Sequence, residues 1–407
     1  MRPPAFLHPF SEPARTDFTR VVSGGGCWIT DEHGNSYLDA IASLWCVNVG
    51  HGRREVIDAV TSQMESLATY NTFGSWSNEP ADHLAEMISE RAPMPAARVF
   101  FTTSGSEAVD TAIKLARLTH QLGGDEQRLE IVSRHGGYHG TAYGGTSLQG
   151  IEANRTGFGQ LLDGVIRVGR HDLEEISQRF ERDGDRIAAI ISEPVQGAGG
   201  VHPPEPGYLE GLRSLCDSHG ALLVLDEVIT GFGRLGHWFA GLRYGVEPDL
   251  ATFAKAATSG YVPLGGVIVG ERVRSVLEAD PAMVLRTGFT YSGHPTAAAA
   301  GVACIEVTER EGLLARAEAI GERLGAGLRD LLAAGSVTDV RGVGAIWAVD
   351  VPAEPGRGSV EVTTTMRRAG VIVRPIGDTT IAMCPPLVMT DDEVDLLAHT
   401  LDRALAS

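Results

Sequence analysis

The sequence predicts an α/β protein in which a mainly parallel sheet lies between helices, with a smaller α+β part made from both chain ends. Three observations carry this. From about Arg98 to Gly270, short apolar runs alternate with amphipathic stretches. The runs are continuous rather than alternating in polarity, as suits strands covered on both faces. After Thr296 the pattern changes to long helical spacing and then to short strands.

The elements follow in order. The N-terminal segment holds a strand pair, "GCWITDEHG" and "NSYLDAIA". The middle carries "RVFFTT", "LEIVS", "GVIRV", "IAAIISE", "ALLVLDEV" and "LGGVIVG" as strands. Between them, segments such as Tyr208 to Gly220 place Leu209, Leu212, Leu215 and Cys216 on one helical face. Strands alternating with helices imply a parallel sheet. Ile305 to Leu332 reads as one long helix, with Leu313, Leu314, Ala317, Ile320, Leu324, Leu328 and Leu331 at helical spacing. The strands "VGAIWAVDV", "GVIVRP" and "TTIAMC" come next, and a last helix follows the N-cap Thr390. The expected division is residues 1–60 and 301–407 for a small domain and 61–300 for a large one.

Composition sets the bounds. The 407 residues are 43% hydrophobic and 21% charged, an ordinary globular balance with length for a large core and a smaller one. A net charge of −18 argues against nucleic acid or an anionic membrane as partner, and a solvated acidic surface accounts for it. No apolar run reaches transmembrane length. The start "MRPPAFLHPFSEPART" lacks the charged opening and apolar core of a signal peptide. Cys27, Cys46, Cys216, Cys304 and Cys384 are scattered without a Cys-x-x-Cys pair, so neither a disulfide frame nor a metal site is expected. The expectation is a soluble cytoplasmic protein with free thiols.

Of 34 lysine and arginine residues, only Lys114 and Lys255 are lysine. Lys255 stands in "ATFAKAATSG", among small and apolar neighbours. Partial desolvation there lowers an amine's pKa and favours the neutral nucleophile that forms Schiff bases. Arginine never loses its proton and cannot do this. A snorkelling surface lysine is the plainer alternative. Lys114, inside "AIKLAR", reads as an ordinary surface or helix-pairing lysine.

Other motifs sit at predicted strand ends. In "TTSGSEAVDTAIKLARL", Ser104 and Glu107 fit a capping box opening a helix at Gly105 and Ser106. Free N–H groups and the positive helix end there suit a phosphate, although a capped helix without ligand fits too. The motif is neither a Walker loop nor a dinucleotide fingerprint. "ALLVLDEVITGFGRLG" brings Asp226 and Glu227 to the end of a buried run, where one carboxylate could hold a protonated ring nitrogen or cap a loop. "SRHGGYHGTAYGG" puts Tyr138 and His139 on a glycine-rich loop, and an aromatic there could stack on a planar cofactor. "SEPVQGAGG" adds Glu193 and Gln196.

Together these segments resemble the class III aminotransferases, pyridoxal 5′-phosphate enzymes of fold type I. The matching elements are "SGSEA", "GGYHG", "EPVQG", "LDEVITGFGR", "FAKAATSGYVPLGG" and "GFTYSGHP", in family order from about residue 20 onward. "SLWCVNVGHGR" and "TYNTF" resemble the omega-transaminase, or amine:pyruvate transaminase, branch. The resemblance implies a large domain with a mainly parallel seven-stranded sheet. It implies that Lys255 forms the Schiff base and later shuttles a proton, and that Asp226 pairs with the pyridine nitrogen. Val228 and Tyr138 would flank the ring, with His139 and Glu193 beside it and Gln196 near the ring hydroxyl. Ser104, Gly105 and Ser106 would hold the phosphate. Thr290 would reach it from a partner subunit, making a homodimer with shared sites; a tetramer stays open. Trp45, Phe73, Tyr143 and Tyr261 are substrate-pocket candidates, the last two on loop position alone. The carboxylate-binding arginine of the ornithine and 4-aminobutyrate branches is replaced by Ala382. Arg374, in "VIVRPIGDT", occupies the place of a mobile arginine that pairs with keto-acid carboxylates; a plain strand-end arginine paired with Glu193 or a surface acid is the alternative.

The reaction implied is a two-stage transfer of an amino group from an amine or omega-amino acid to a keto acid, ketone or aldehyde. An aminomutase or amino-acid epimerase of the same fold would use the same lysine. A catalytically silent scaffold is disfavoured by Lys255, Asp226 and Tyr138 standing together. A nicotinamide oxidoreductase would need a glycine fingerprint that is missing.

Overall fold

The computed structural model describes residues 4–352 and 357–406. Residues 1–3 of the N-terminal stretch lie outside them. The central sheet has seven strands in the spatial order Arg98–Thr102, Gly265–Val269, Leu250–Phe253, Leu222–Asp226, Ile187–Ser192, Glu130–Arg134, Val165–Val168. Gly265–Val269 runs antiparallel to both neighbours, and the remaining pairs are parallel. Six carboxyl ends therefore share one edge.

Leu222–Asp226 explains why its run is continuous. Leu222 and Val224 join a core with Ala108, Ala112 and Ala116 of the helix Gly105–Leu122. Leu223 and Leu225 face the opposite core, with Leu209, Leu212 and Cys216 of the helix Tyr208–His219. Both sheet faces are covered, so every strand residue is buried.

The chain ends meet in a second sheet. Trp28–Asp31 and Ser36–Asp39 pair antiparallel as expected, preceded by Val21–Gly25. Val371–Ile372 adds parallel to Ser36–Asp39. A third sheet has the order Asp339–Val343, Ile346–Asp350, Thr380–Met383, Arg374–Ile376.

The structure corrects four sequence expectations. Leu250–Phe253 is a strand that the apolar runs above omit; it is only four residues long. The stretch read as one helix breaks into Pro295–Arg310 and Leu313–Ala333. Gly312 makes the break, at a φ of 63° that glycine adopts without strain. "GVIVRP" is not one strand, because Val371–Ile372 and Arg374–Ile376 pair in different sheets. Pro375 is tolerated because its strand lies at a sheet edge. Asp339–Val343 adds a hairpin partner to "VGAIWAVDV". Among the described residues, no helix is long and apolar enough to cross a membrane.

Candidate active site

Five loops at the shared sheet edge converge on one cavity. Gly105, Ser106, Tyr138, Glu193, Asp226 and Lys255 line it, with Val228 and His139. The five loops follow the carboxyl ends of five different strands, with Asp226 the last residue of its strand, where open α/β sheets place ligands.

Ser104 caps the helix Gly105–Leu122, its Oγ accepting Glu107 N–H at 3.2 Å. The reciprocal arm differs from a full capping box. Glu107 accepts Thr103 N–H at 2.8 Å and the Thr103 hydroxyl at 2.7 Å. The N–H groups of Gly105 and Ser106 start the helix and have no partner within it. Ser106 Oγ accepts Thr141 N–H at 3.0 Å. Two glycines keep this end open. A Cβ on Gly105 would stand 3.0 Å from both Val228 methyls. One on Gly140, at φ 89°, would stand 2.5 Å from Ser106 Oγ.

Asp226 is 4% exposed and fully partnered. Its Oδ1 accepts from Thr252 Oγ1 at 2.9 Å and Val228 N–H at 3.2 Å. Its Oδ2 lies 2.8 Å from His139 Nδ1, which must donate because a carboxylate only accepts. Glu227 points away. It accepts Ala240 N–H and Gly241 N–H, each at 2.8 Å, and the Thr230 hydroxyl at 2.5 Å. The two adjacent acids thus part roles: Glu227 closes a turn, and Asp226 alone faces the cavity.

Lys255 follows the strand Leu250–Phe253 with a φ of 45°, unusual for a residue with a side chain. Burial pushes its amine below the ordinary lysine value, while Asp226 and Glu193 pull the other way. Glu193 accepts Tyr138 N–H at 2.8 Å and Gly197 N–H at 2.9 Å. Burial, its largest influence, raises its pKa. Gln196 donates to His135 O at 3.0 Å, and its buried Oε1 has no partner among the described residues.

Ser104, Gln196 and the remaining candidates lie outside this lining. Trp45 is buried against Gly197 and Ile229, and Arg374 rests 5.2 Å above its ring. Among the described residues, Arg374 has no carboxylate within 4.0 Å, so the expected alternative of pairing with Glu193 is not realised. Thr290 and Phe73 are exposed on neighbouring loops. Tyr143 is turned outward, its hydroxyl 3.4 Å from Phe158 O. Tyr261 is spent on structure: its hydroxyl accepts Arg53 N–H at 2.5 Å and donates to Gly50 O at 2.7 Å. Lys114 donates to Thr287 Oγ1 at 2.7 Å, a helix-to-loop tie. Sequence reasoning missed Thr252, Gly140 and Ile229. Thr252 was findable once "DLATF" is taken as a strand, since it precedes Lys255 by three residues.

A desolvated lysine, a carboxylate held by histidine, and a helix N-terminus at one sheet edge define the class, a pyridoxal-phosphate-dependent transferase of fold type I. The residues fit the cofactor: a helix N-terminus at Gly105 and Ser106, kept open by the missing Cβ of Gly140 that would otherwise meet Ser106, in one cavity with the buried Lys255 amine and the Asp226 carboxylate. The family profile for class-III aminotransferases matches residues 11–405. The chain is 37% identical to the omega-aminotransferase of Caulobacter vibrioides, covering 98% of this chain and 97% of the relative. It is 36% identical to the beta-alanine–pyruvate aminotransferase of Pseudomonas aeruginosa, covering 95% and 91%. An amine transaminase from an uncultivated Pseudomonas species, solved in its PLP-bound internal aldimine form, superposes with a TM-score of 0.94. It is 36% identical and covers 99% and 98% of the two chains. An (S)-enantioselective omega-transaminase from Thermomicrobium roseum gives a TM-score of 0.94 at 38% identity, covering 98% and 96%. The chain belongs to the class III aminotransferase family, and it is a transaminase that uses pyridoxal 5′-phosphate.

Proposed function

We propose that this enzyme moves an amino group from an amine or omega-amino acid to pyruvate or a similar keto acid, with ketones and aldehydes as further acceptors. The names of the relatives support the substrate classes. The observation that carries the site is the buried Lys255 amine in one cavity with Asp226 and the helix end at Gly105.

When bound, the cofactor supplies an aldehyde that bonds to amines and a ring that delocalises negative charge. Lys255 is the residue that attaches it and that moves the proton at the substrate carbon. Burial, which lowers its pKa, favours the neutral amine that both tasks need. Asp226, held by three hydrogen bonds, would pair with the ring nitrogen. Ser104 caps the helix whose N–H groups at Gly105 and Ser106, with the Ser106 hydroxyl, hold the phosphate. Val228 and Tyr138, which line the cavity, would flank the ring, and Gln196 would approach its hydroxyl. Glu193 fixes the Tyr138 loop through its backbone. A homodimer brings Thr290 to the neighbouring phosphate. The five free cysteines support a reducing, cytoplasmic setting.

The test is an absorbance titration of the holoenzyme with a panel of amines and omega-amino acids. Each true donor converts the cofactor band to its aminated form. Lys255→Ala abolishes transamination while leaving the melting curve of a folded protein. Conversion at wild-type rate in that variant would sink the assignment.

Arg374 reads as the carboxylate partner of the acceptor, since it rests on Trp45 without an ion pair. Arg374→Ala raises the KM for pyruvate roughly tenfold to a hundredfold, from loss of one charge-assisted pair, and spares uncharged aldehydes. Equal losses for both would remove Arg374 from recognition.

A further inference from the structure

The turn that carries Trp45 has an uncommon backbone. Ala42, Ser43 and Trp45 have φ values of 49°, 61° and 64°. Such angles cost residues with side chains and persist only where their surroundings over-determine them. Asp39 does the determining. It ends the strand Ser36–Asp39 and is 2% exposed. Its Oδ2 accepts Ser43 N–H at 2.6 Å, and its Oδ1 accepts Ile41 N–H at 3.3 Å.

His51 locks this carboxylate. Its Nε2 lies 2.7 Å from Asp39 Oδ2 and carries the proton, because the carboxylate only accepts. His51 is in turn fixed by two backbone bonds with Gly26, at 2.8 and 2.9 Å. Behind the turn, Ala40 N–H donates to Ile372 O at 3.0 Å, and Cys384 N–H donates to Ala40 O at 2.8 Å. Neither Asp39 nor His51 lines the cofactor cavity.

What the turn delivers is the Trp45 ring. It packs where Gly197 has no side chain, since a Cβ there would meet the ring at 2.4 Å. Arg374 lies over that ring, 5.2 Å from its centroid. With no carboxylate partner, the guanidinium takes its resting place from the aromatic face.

We propose that Asp39, locked by His51, is a positioning residue for acceptor recognition: it fixes Trp45, and Trp45 fixes where Arg374 rests. This rests on the reading of Arg374 as the residue that meets the keto-acid carboxylate. Asp39 acts through backbone and ring and touches no substrate.

The test uses the holoenzyme and two acceptors, pyruvate and an uncharged aldehyde. Asparagine at position 39 keeps only one acceptor oxygen, so its NH2 group is set against the N–H of Ile41 or against the Ser43 N–H and His51 pair. Asp39→Asn raises the KM for pyruvate about tenfold and leaves kcat and the aldehyde KM within about twofold. His51→Ala behaves the same way, whereas His51→Gln, which keeps a side-chain N–H donor, restores the pyruvate KM. Propionate binding, read from the cofactor absorbance without turnover, weakens in parallel. Equal losses for both acceptors, no loss in either variant, or failure of glutamine to rescue would overturn the proposal. If Asp39→Asn does not fold, the two His51 variants decide it. Arg374→Ala run alongside separates the layers. Selectivity lost there but retained in the Asp39 and His51 variants overturns only this inference; no selectivity change in Arg374→Ala overturns both.

Discussion

Asp226 holds more hydrogen bonds than a strand-end aspartate needs. Thr252 and Val228 occupy one oxygen, and His139 the other. Three donors fix the orientation of a carboxylate that is set to pair with a ring nitrogen. Asp226→Asn is therefore expected to bind cofactor and lose most of its rate, because an amide does not keep that nitrogen protonated. The loss belongs in kcat, measured with a saturating amine; near-normal turnover would mean that another group carries the charge. At this scale the sequence was informative where chemistry restricts residue type. Lys255 was legible because arginine is used almost everywhere else. The division of work between Asp226 and Glu227 was not legible, because adjacent residues in a chain carry no mark of which one faces a cavity. The directions of the Tyr143 and Tyr261 rings were not legible for a related reason: loop position does not say where a ring points.

Elements were legible in proportion to how strongly burial constrains them. Ile187–Ser192 and Leu222–Asp226 are buried at every position, and their unbroken apolar runs announce them. Leu250–Phe253 is as buried but has four residues, too short for a pattern of its own. The kink at Gly312 and the change of sheet at Val373 depend on partners distant in sequence. Caps, by contrast, are local. Thr390 Oγ1 accepts Glu393 N–H at 3.3 Å, as the expected N-cap does, and Glu393 accepts Thr390 N–H at 2.8 Å, which completes a capping box on Asp391–Leu405. Glu393 also accepts Trp28 Nε1–H at 2.7 Å, tying this last helix to the N-terminal strands. Thr390→Ala is expected to cost about 1 kcal/mol. Glu393→Ala is expected to cost more, because it also leaves the Trp28 N–H without its partner. Urea unfolding of both variants checks the order; a larger cost for Thr390→Ala would show that the link to Trp28 adds nothing.

At the scale of the whole molecule, the site as described is unfinished. Gly105 and Ser106 bring a helix end to the cavity from their own chain, but Thr290 is exposed on a loop away from it. That loop is bound to a second one. Thr72 Oγ1 donates to Ser292 O at 2.9 Å, and Asn78 Nδ2 donates to Gly293 O at 2.8 Å. The two loops present Tyr70, Phe73, Trp76 and Tyr291, all between 47% and 60% exposed. Apolar rings grouped this way are the kind of patch that fits the proposed homodimer, since a two-fold axis through it would let each subunit lend its loop to the other. Sequence alone suggested the exchange only through family resemblance, because an interface leaves no periodic signal in a loop. Thr290→Ala is expected to weaken cofactor retention roughly tenfold or more, as for loss of one charge-assisted hydrogen bond. Retention is measured by dialysis of the holoenzyme followed by cofactor absorbance. Dilution into monomers, followed by sedimentation, should release cofactor in step with dissociation even in the unaltered protein. A monomer that keeps its cofactor and full activity would refute the shared site, and would leave the exposed rings of these two loops as an association surface unconnected with catalysis.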